Sequence, residues 1–221
     1  SIIYDLNSIN DLALSGATHS WLNIDLRKPG AEAILYFDGA DDYMHRAIAN
    51  NLPSGISSYT IAAWVKSSKL QTYGIVEWGT QASSQMTGIS WQQGSGGSIS
   101  NYWSGNDLTT ALNDANCQGC NEWHFIVATF DGSARKIYFD GQEIGNDLPG
   151  STHLTTSVNL NVGRIGSSNY FQGFVSEISV WNTRLRGVDV ISLMQHGITS
   201  TYENLVGFWK FRTNSTAGLF S

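Results

Sequence analysis

Apolar residues recur at every second position along much of this chain. Between Trp123 and Phe130 two apolar sets interleave. Trp123, Phe125 and Val127 point one way, and Ile126, Ala128 and Phe130 the other. Alternation of period two is the mark of a strand, and a strand apolar on both faces belongs inside a packed sandwich. Asp131-Gly132-Ser133-Ala134 reads as a turn, residues 136–139 as the next strand. Asp140-Gly141 then stands between two apolar runs as a two-residue hairpin connection, because Asp and Gly tolerate positive φ. A third strand follows up to Gly145.

The same reading predicts strands at 1–6 (an edge), around Leu12 and Leu14, and at 33–37, 59–66, 73–79, 87–93, 99–104, 157–163, 171–181 and 205–211. Residues 38–43 form a turn after the strand at 33–37. Residues 106–121 are a long connection with one helical turn at 108–112. Leu185, Val188, Ile191 and Met194 recur every third position, which predicts one short amphipathic helix over 185–195, capped by Gly197. The fold class is therefore all-β: two packed antiparallel sheets and a single short helix. One domain over 1–211 is expected, with a loosely held tail at 212–221, and the strand at 205–211 is expected to pair beside the first and close the sandwich.

Composition narrows the chemistry. The chain has 221 residues, only 14% of them charged, so its surface relies on Ser, Thr, Asn and Gln. Such a surface suits neutral polar ligands such as sugars. A net charge of −6, with no run of Lys and Arg, argues against nucleic acid. No apolar run reaches membrane-spanning length. Cys117 and Cys120 in CQGC read as a small-loop disulfide, with two free thiols as the alternative. An oxidised pair would fit an extracellular or secreted protein. Asn214-Ser215-Thr216 is a glycosylation triplet of the kind that also arises by chance.

Four stretches, FDGADDY, YTIAAWV, EWHFIVATFDG…YFDG and FQGFVSEISVWNTRL, resemble the laminin-G-like and pentraxin-like branch of the concanavalin A-like jelly rolls. The segment NSINDLALSGATHSW resembles the opening of many laminin-G-like repeats, although the strand that normally precedes it is missing. The resemblance implies a jelly-roll strand order, a non-catalytic carbohydrate-binding (lectin-type) activity, and, for some relatives, calcium and multivalency through homo-oligomers. In pentraxins an Asp-Asn pair follows the strand equivalent to GIVEWG, and a Glu-Gln-Asp cluster precedes the one equivalent to FQGFVSEI. Here those loops read TQASSQM and RIGSSNY, without an acid. Asp41 and Asp42 remain as adjacent carboxylates for calcium, with turn capping as their plainer role; Asp107 with Asn106, and Asp114 with Asn113, are weaker pairs.

Sugar sites combine an aromatic platform with amides and carboxylates. The stretch from Glu77 to Asp107 holds Trp78, Trp91, Tyr102 and Trp103 among Gln92, Asn101, Asn106 and Asp107. Asn169 and Tyr170 form a second candidate. Trp64, Trp123, Trp181 and Trp209 fall in family strand patterns and are expected in the packing. Core packing competes with ligand contact for Trp91 and Trp103. Strand geometry sends Tyr102 and Trp103 to opposite faces, so at most one is interior. Glycan hydrolases of this superfamily carry Glu-x-Asp-x-(x)-Glu on one strand; here Glu77 and Glu177 each stand alone, so hydrolysis is not expected and that pair is the one to locate. A laminin-G-like protein-interaction module, marked by an exposed apolar patch, is the competing function, and a polysaccharide-cleaving enzyme the third.

Overall fold

The computed structural model describes residues 34–67, 74–92, 97–112, 121–150, 152–197 and 203–209, and the backbone of 2–3, 12–15, 72–73 and 210. The CQGC cysteines, Asn113, Asp114 and the tail at 212–221 lie outside the described residues. The strands are β1 (Ile2–Ile3), β2 (Leu12–Ser15), β3 (Leu35–Asp38), β4 (Tyr43–Ile48), β5 (Tyr59–Lys66), β6 (Thr72–Gly79), β7 (Met86–Gln92), β8 (Ser98–Tyr102), β9 (Leu108–Ala111), β10 (Trp123–Phe130), β11 (Arg135–Phe139), β12 (Gln142–Asp147), β13 (Val158–Val162), β14 (Arg164–Ile165), β15 (Asn169–Tyr170), β16 (Gln172–Trp181) and β17 (Leu205–Lys210). The helix α1 (Gly187–His196) lies between the last two strands.

Two antiparallel sheets make the sandwich. One runs β1-β2-β4-β13-β6-β7-β8-β9; the other runs β12-β11-β10-β5-β16-β17, with β3 paired to β16 beside it. Alternation explains the packing. Ile61, Ala63 and Val65 on β5, with Ile126, Ala128 and Phe130 on β10, join Met44, Val76, Trp78, Ile89, Leu160 and Val162 of the facing sheet in one buried cluster. The opposite parity of β5 and β10 supplies Ala62, Phe125 and Val127 to a second cluster, closed by Trp181, Phe208, Val190 and Leu193. The two-faced strand at Trp123–Phe130 thus separates the inter-sheet core from a smaller layer under α1.

Four expectations change. The helix buries Val190 and Leu193, while Val188 and Ile191 are exposed. A strict every-third repeat drifts off one helical face, whereas the i, i+3, i+4 set Val190, Leu193 and Met194 stays on it. Residues 108–111 pair with β8 as strand β9 instead of turning helically. The strand β4 was not predicted, because Arg46, Ala47 and Ile48 blur its alternation. Strand β17 pairs with β16, in line with β3, and not beside β1. The hairpin at Asp140-Gly141 holds as expected, with both residues at positive φ, 50° and 81°.

A polar stack crosses one end of the core. The Trp103 ring lies between the Arg135 guanidinium, 4.1 Å from its centre, and the His153 ring, stacked at 3.8 Å. Arg135 is fully buried and forks onto Asp147, with Nε donating to Oδ1 at 2.9 Å and Nη2 to Oδ2. Its Nη1 donates to the Asn106 carbonyl at 2.6 Å. A buried cation is tolerated only with such partners, and removing the side chain leaves both a void and orphaned acceptors. Arg135→Ala is expected to destabilise the domain by roughly 3–5 kcal/mol, and Arg135→Lys by less. Urea denaturation checks this; a loss below about 1 kcal/mol would show the stack to be dispensable.

Candidate functional site

Parity and register build a polar row on the outer face of the eight-stranded sheet. On β4, Met44 points into the core and His45 outward. On β13, Leu160 and Val162 point inward and Asn161 outward. On β6, Val76 and Trp78 point inward and Glu77 outward. Asn161 lies directly opposite His45 on one side and Glu77 on the other. Its amide is therefore the hub. Nδ2 donates to Glu77 Oε1 at 2.9 Å, and Oδ1 accepts from His45 Nδ1–H at 2.9 Å. That bond fixes the imidazole tautomer and leaves Nε2 of a neutral His45 as an acceptor.

The short hairpin of β14 and β15 covers one end of the row. It can press onto β6 because Gly74 has no Cβ; one there would overlap the Ile165 backbone nitrogen. The Gly166 N–H donates to Glu77 Oε1 at 2.9 Å, and Arg164 Nη2 donates to Asn161 Oδ1 at 3.0 Å. The Arg164 guanidinium lies over the Tyr43 ring at 3.7 Å, and Tyr43 packs against Tyr170 with ring centres 6.1 Å apart. Between row and hairpin is a cavity of ≈ 180 Å³ lined by His45, Glu77, Gln81, Met86, Asn161 and Arg164 among others. Its size is below the roughly 300–1,000 Å³ of sites for drug-sized ligands, so it suits one ring or terminal group.

Burial pushes the Glu77 carboxyl up to about 7, against the opposing pull of Asn161, Gly166 and Arg164. The side chain is only 1% exposed, and Oε2 has no hydrogen-bond partner. At mildly acidic pH this residue is a neutral acid.

The sequence candidates divide. Trp78, Trp91 and Trp103 are 0% exposed, and Asn101 likewise. These four belong to the interior and cannot floor a ligand: Trp78 Nε1 donates to the Pro53 carbonyl, Trp103 Nε1 to the Tyr59 hydroxyl, and Tyr59 O–H to Asn101 Oδ1. Their strands carry the core parity that Ile89 and Ile99 share. Tyr102 and Gln92 take the other parity and face outward. Tyr102 lies opposite Gly88, which lies opposite Glu77, so it continues the polar row two strands, roughly 10 Å, away. Asp107 caps the β8–β9 turn by accepting from the Trp103 N–H at 2.6 Å, and Asn106 serves Arg135 through its carbonyl. Asn169 is exposed on the hairpin beside half-buried Tyr170.

Asp41 and Asp42 meet Asp38, with one carboxylate oxygen of each within 4.8 Å of the others. Their known bonds are turn caps: Asp42 Oδ2 accepts from the Asp38 N–H at 3.1 Å, and Asp38 Oδ1 from the Ala40 N–H at 2.7 Å. Glu77 and Glu177 do not converge. Glu177 alternates with the core residue Ile178 and faces outward from the other sheet. The whole inter-sheet core stands between the two acids. His45, Asn161 and Arg164 were missed as site residues. The signal was present: a single polar residue between apolar ones in NLNVG, which alternation sends to the open face.

This is a two-sheet β-sandwich with a small polar cavity on one sheet face. The family model described as the Concanavalin A-like lectin/glucanases superfamily, Laminin_G_3, matches residues 29–190, and the chain belongs to that family. No curated protein matches it. Among solved structures it is similar to a heptameric SAP-like pentraxin from Limulus polyphemus, at 12% identity and TM-score 0.58, covering 85% of this chain and 97% of that one. Domain 4 of a GH43 extracellular arabinanase from Geobacillus stearothermophilus, solved with arabinotriose, is 18% identical, with TM-score 0.57 over 82% of this chain and 83% of that one. The binding domain of botulinum neurotoxin DC, solved with SialylT, is 16% identical with TM-score 0.64; the match covers 90% of this chain but only 52% of that one. At such identities the likeness is one of fold.

Glu77 yields a pH prediction. A carboxyl raised by burial stabilises the fold while protonated. That contribution is whole below its ordinary value of 4.5 and is lost as pH rises through about 7. The full loss is about 3 kcal/mol at most, of which roughly 1.4 kcal/mol remains to be lost above pH 6. The melting temperature is expected to fall between pH 6 and pH 8.5, and Glu77→Gln to flatten that fall. Parallel melting curves for the two proteins would show that Glu77 does not titrate as its surroundings dictate.

Proposed function

We propose that this chain is a non-catalytic, lectin-type carbohydrate-binding module whose glycan seats on the outer face of the eight-stranded sheet at the His45–Asn161–Glu77 row. The observation that carries the reading is the Asn161 hub itself. One imidazole, half-buried, stands in register with an amide and a neutral carboxylic acid that are 4% and 1% exposed and hold it from below, beside the Tyr43–Tyr170 pair. Hydroxyl-rich ligands are recognised by such fixed, directional donors and acceptors next to aromatic surface. The structural neighbours solved with arabinotriose or SialylT support it. The outward array of Ser100, Thr109 and Tyr102 extends the polar surface along the sheet for further sugar units.

The placement of the carboxylates supports the non-catalytic half of this reading. Paired glycosidase acids work at roughly 5–10 Å from one another, and Glu77 and Glu177 open from opposite faces. An extracellular location and gain of avidity by homo-oligomerisation belong to the same reading. Among the described residues no helix is long and apolar enough to cross a membrane. Calcium at Asp38, Asp41 and Asp42 is an addition the reading does not need.

A second reading, a protein-interaction module, draws on another feature. A groove of ≈ 240 Å³ at one end of the sandwich is lined by Ile56, Phe130, Leu148 and Pro149, and Leu148 and Ile56 are 75% and 62% exposed.

A glycan array run with and without calcium separates the two. Binding to at least one glycan is expected, lowered more than about tenfold by Asn161→Ala, which removes hydrogen bonds worth ~1.5–3 kcal/mol. Tyr170→Ala on the half-exposed rim is expected to weaken it about three- to tenfold. Leu148→Asp is expected to change nothing. A blank array in both conditions sinks the lectin reading.

A further inference from the structure

Among the described residues, Arg164 is a half-buried cation with no carboxylate bonded to it. Its guanidinium makes one hydrogen bond among the described residues, from Nη2 to the neutral Asn161 amide. Its Nε is enclosed and has no partner. Arg135, Arg184 and Arg186, by contrast, each face an acid, Asp147, Asp131 and Asp189 in turn. Arg164 instead lies on Tyr43 at 3.7 Å and borders the cavity. Stacking of this kind holds the planar fork in place and leaves its edge to bind a planar anion.

The surroundings reinforce that sign. Among the described residues, the titratable groups facing Arg164 are Tyr43 and His45 from β4, Glu77 from β6 and Tyr170 from β15. Glu77 is the one acid among the described residues that line the cavity, and burial favours its neutral form. A protein of net charge −6 thus keeps a locally positive hollow on one sheet face.

We infer that the ligand seated at this hollow carries a carboxylate, as in a hexuronate or sialate unit, which pairs with Arg164 while its hydroxyls meet His45. The inference rests on the lectin reading and sharpens it, replacing a neutral glycan with an acidic one. Charge-assisted bonds from a guanidinium to a carboxylate are about twice as strong as neutral ones and are often bidentate. Arg164 then acts as the specificity-determining residue and His45 as the shared sugar contact, both held in place by Asn161.

The test uses matched pairs: hexuronate- and sialate-terminated oligosaccharides, each beside its carboxyl-reduced form, titrated by calorimetry at pH 6. The acid form of at least one pair is expected to bind ten- to a hundredfold tighter. Arg164→Gln is expected to abolish that preference, Arg164→Lys to keep part of it, and Arg186→Gln, on the far side of the sandwich, to leave it intact. Equal affinity for acid and reduced forms overturns the inference while the lectin reading stands. No binding to any member of the panel overturns both. Should Arg164→Gln fail to fold, the matched pairs on the unmodified protein decide the matter alone.

Discussion

The site depends on the period-two alternation of three adjacent strands. Met44, Leu160 with Val162, and Val76 with Trp78 are driven into the inter-sheet core, so His45, Asn161 and Glu77 have no other direction to take. Burial of each core side chain is worth roughly 1.5–3 kcal/mol, and five of them together far outweigh the bonds of the polar row. The hydrophobic layer therefore sets where the polar row stands. A one-residue slip of β13 would bury the Asn161 amide and expose Leu160 and Val162 at once, which is why the register is tightly specified. The hairpin of β14 and β15 adds the second half of the site, and it can settle only where Gly74 leaves room.

Much of the scaffold was legible in the chain, and the reason is the same alternation. The two-faced strand Trp123–Phe130 and the Asp140-Gly141 hairpin follow from residue pattern alone, as does the strand Tyr59–Lys66. What was illegible was the fate of each aromatic. Trp78, Trp91 and Trp103 sit in strands whose neighbours are mixed, and a tryptophan serves equally well as core filler or as sugar platform. Only the pairing of β8 with β7 tells that Trp103 shares the buried side while Tyr102 looks out. The cavity was harder still. His45, Asn161 and Glu77 are more than thirty residues apart in sequence, so no local motif announces them. The helix face misled because an every-third spacing resembles a helical stripe over two turns and then rotates away from it.

Two buried titratable groups then shape how the fold responds to pH. Burial, helped by the nearby Arg135 charge, pushes His153 down to about 4 from its ordinary 6.5, so folding prefers the neutral ring. Stability from His153 is whole above 6.5 and is lost as pH falls towards 4. Glu77 works the other way, raised to about 7 from 4.5. Between 4.5 and 6.5 folding releases a proton at one residue and takes one up at the other, so the two slopes oppose and largely cancel. The pair favours a plateau in the mildly acidic range. That is the range in which Glu77 stays neutral and the hollow beside Arg164 keeps its positive sign, so the conditions that suit the fold are also those that suit an acidic ligand.

The two acids that could have suggested catalysis are separated by the fold itself. Glu77 belongs to the face with the cavity, and Glu177 to the outer face of the other sheet, which also carries α1. Moving them together would require one strand to reverse its parity and expose its core residues, at a penalty of several kcal/mol. A lone, enclosed carboxyl in an amide network is suited to holding a hydroxyl, because as an acid it donates and as a carboxylate it accepts without moving. Its Oε2 and Arg164 Nε are both enclosed without a partner, so any ligand meets the hollow through the accessible edges of His45 and Arg164. An acidic sugar, as inferred above, would bring hydroxyls to the first and a carboxylate to the second, whereas a neutral sugar leaves the guanidinium without a counter-charge.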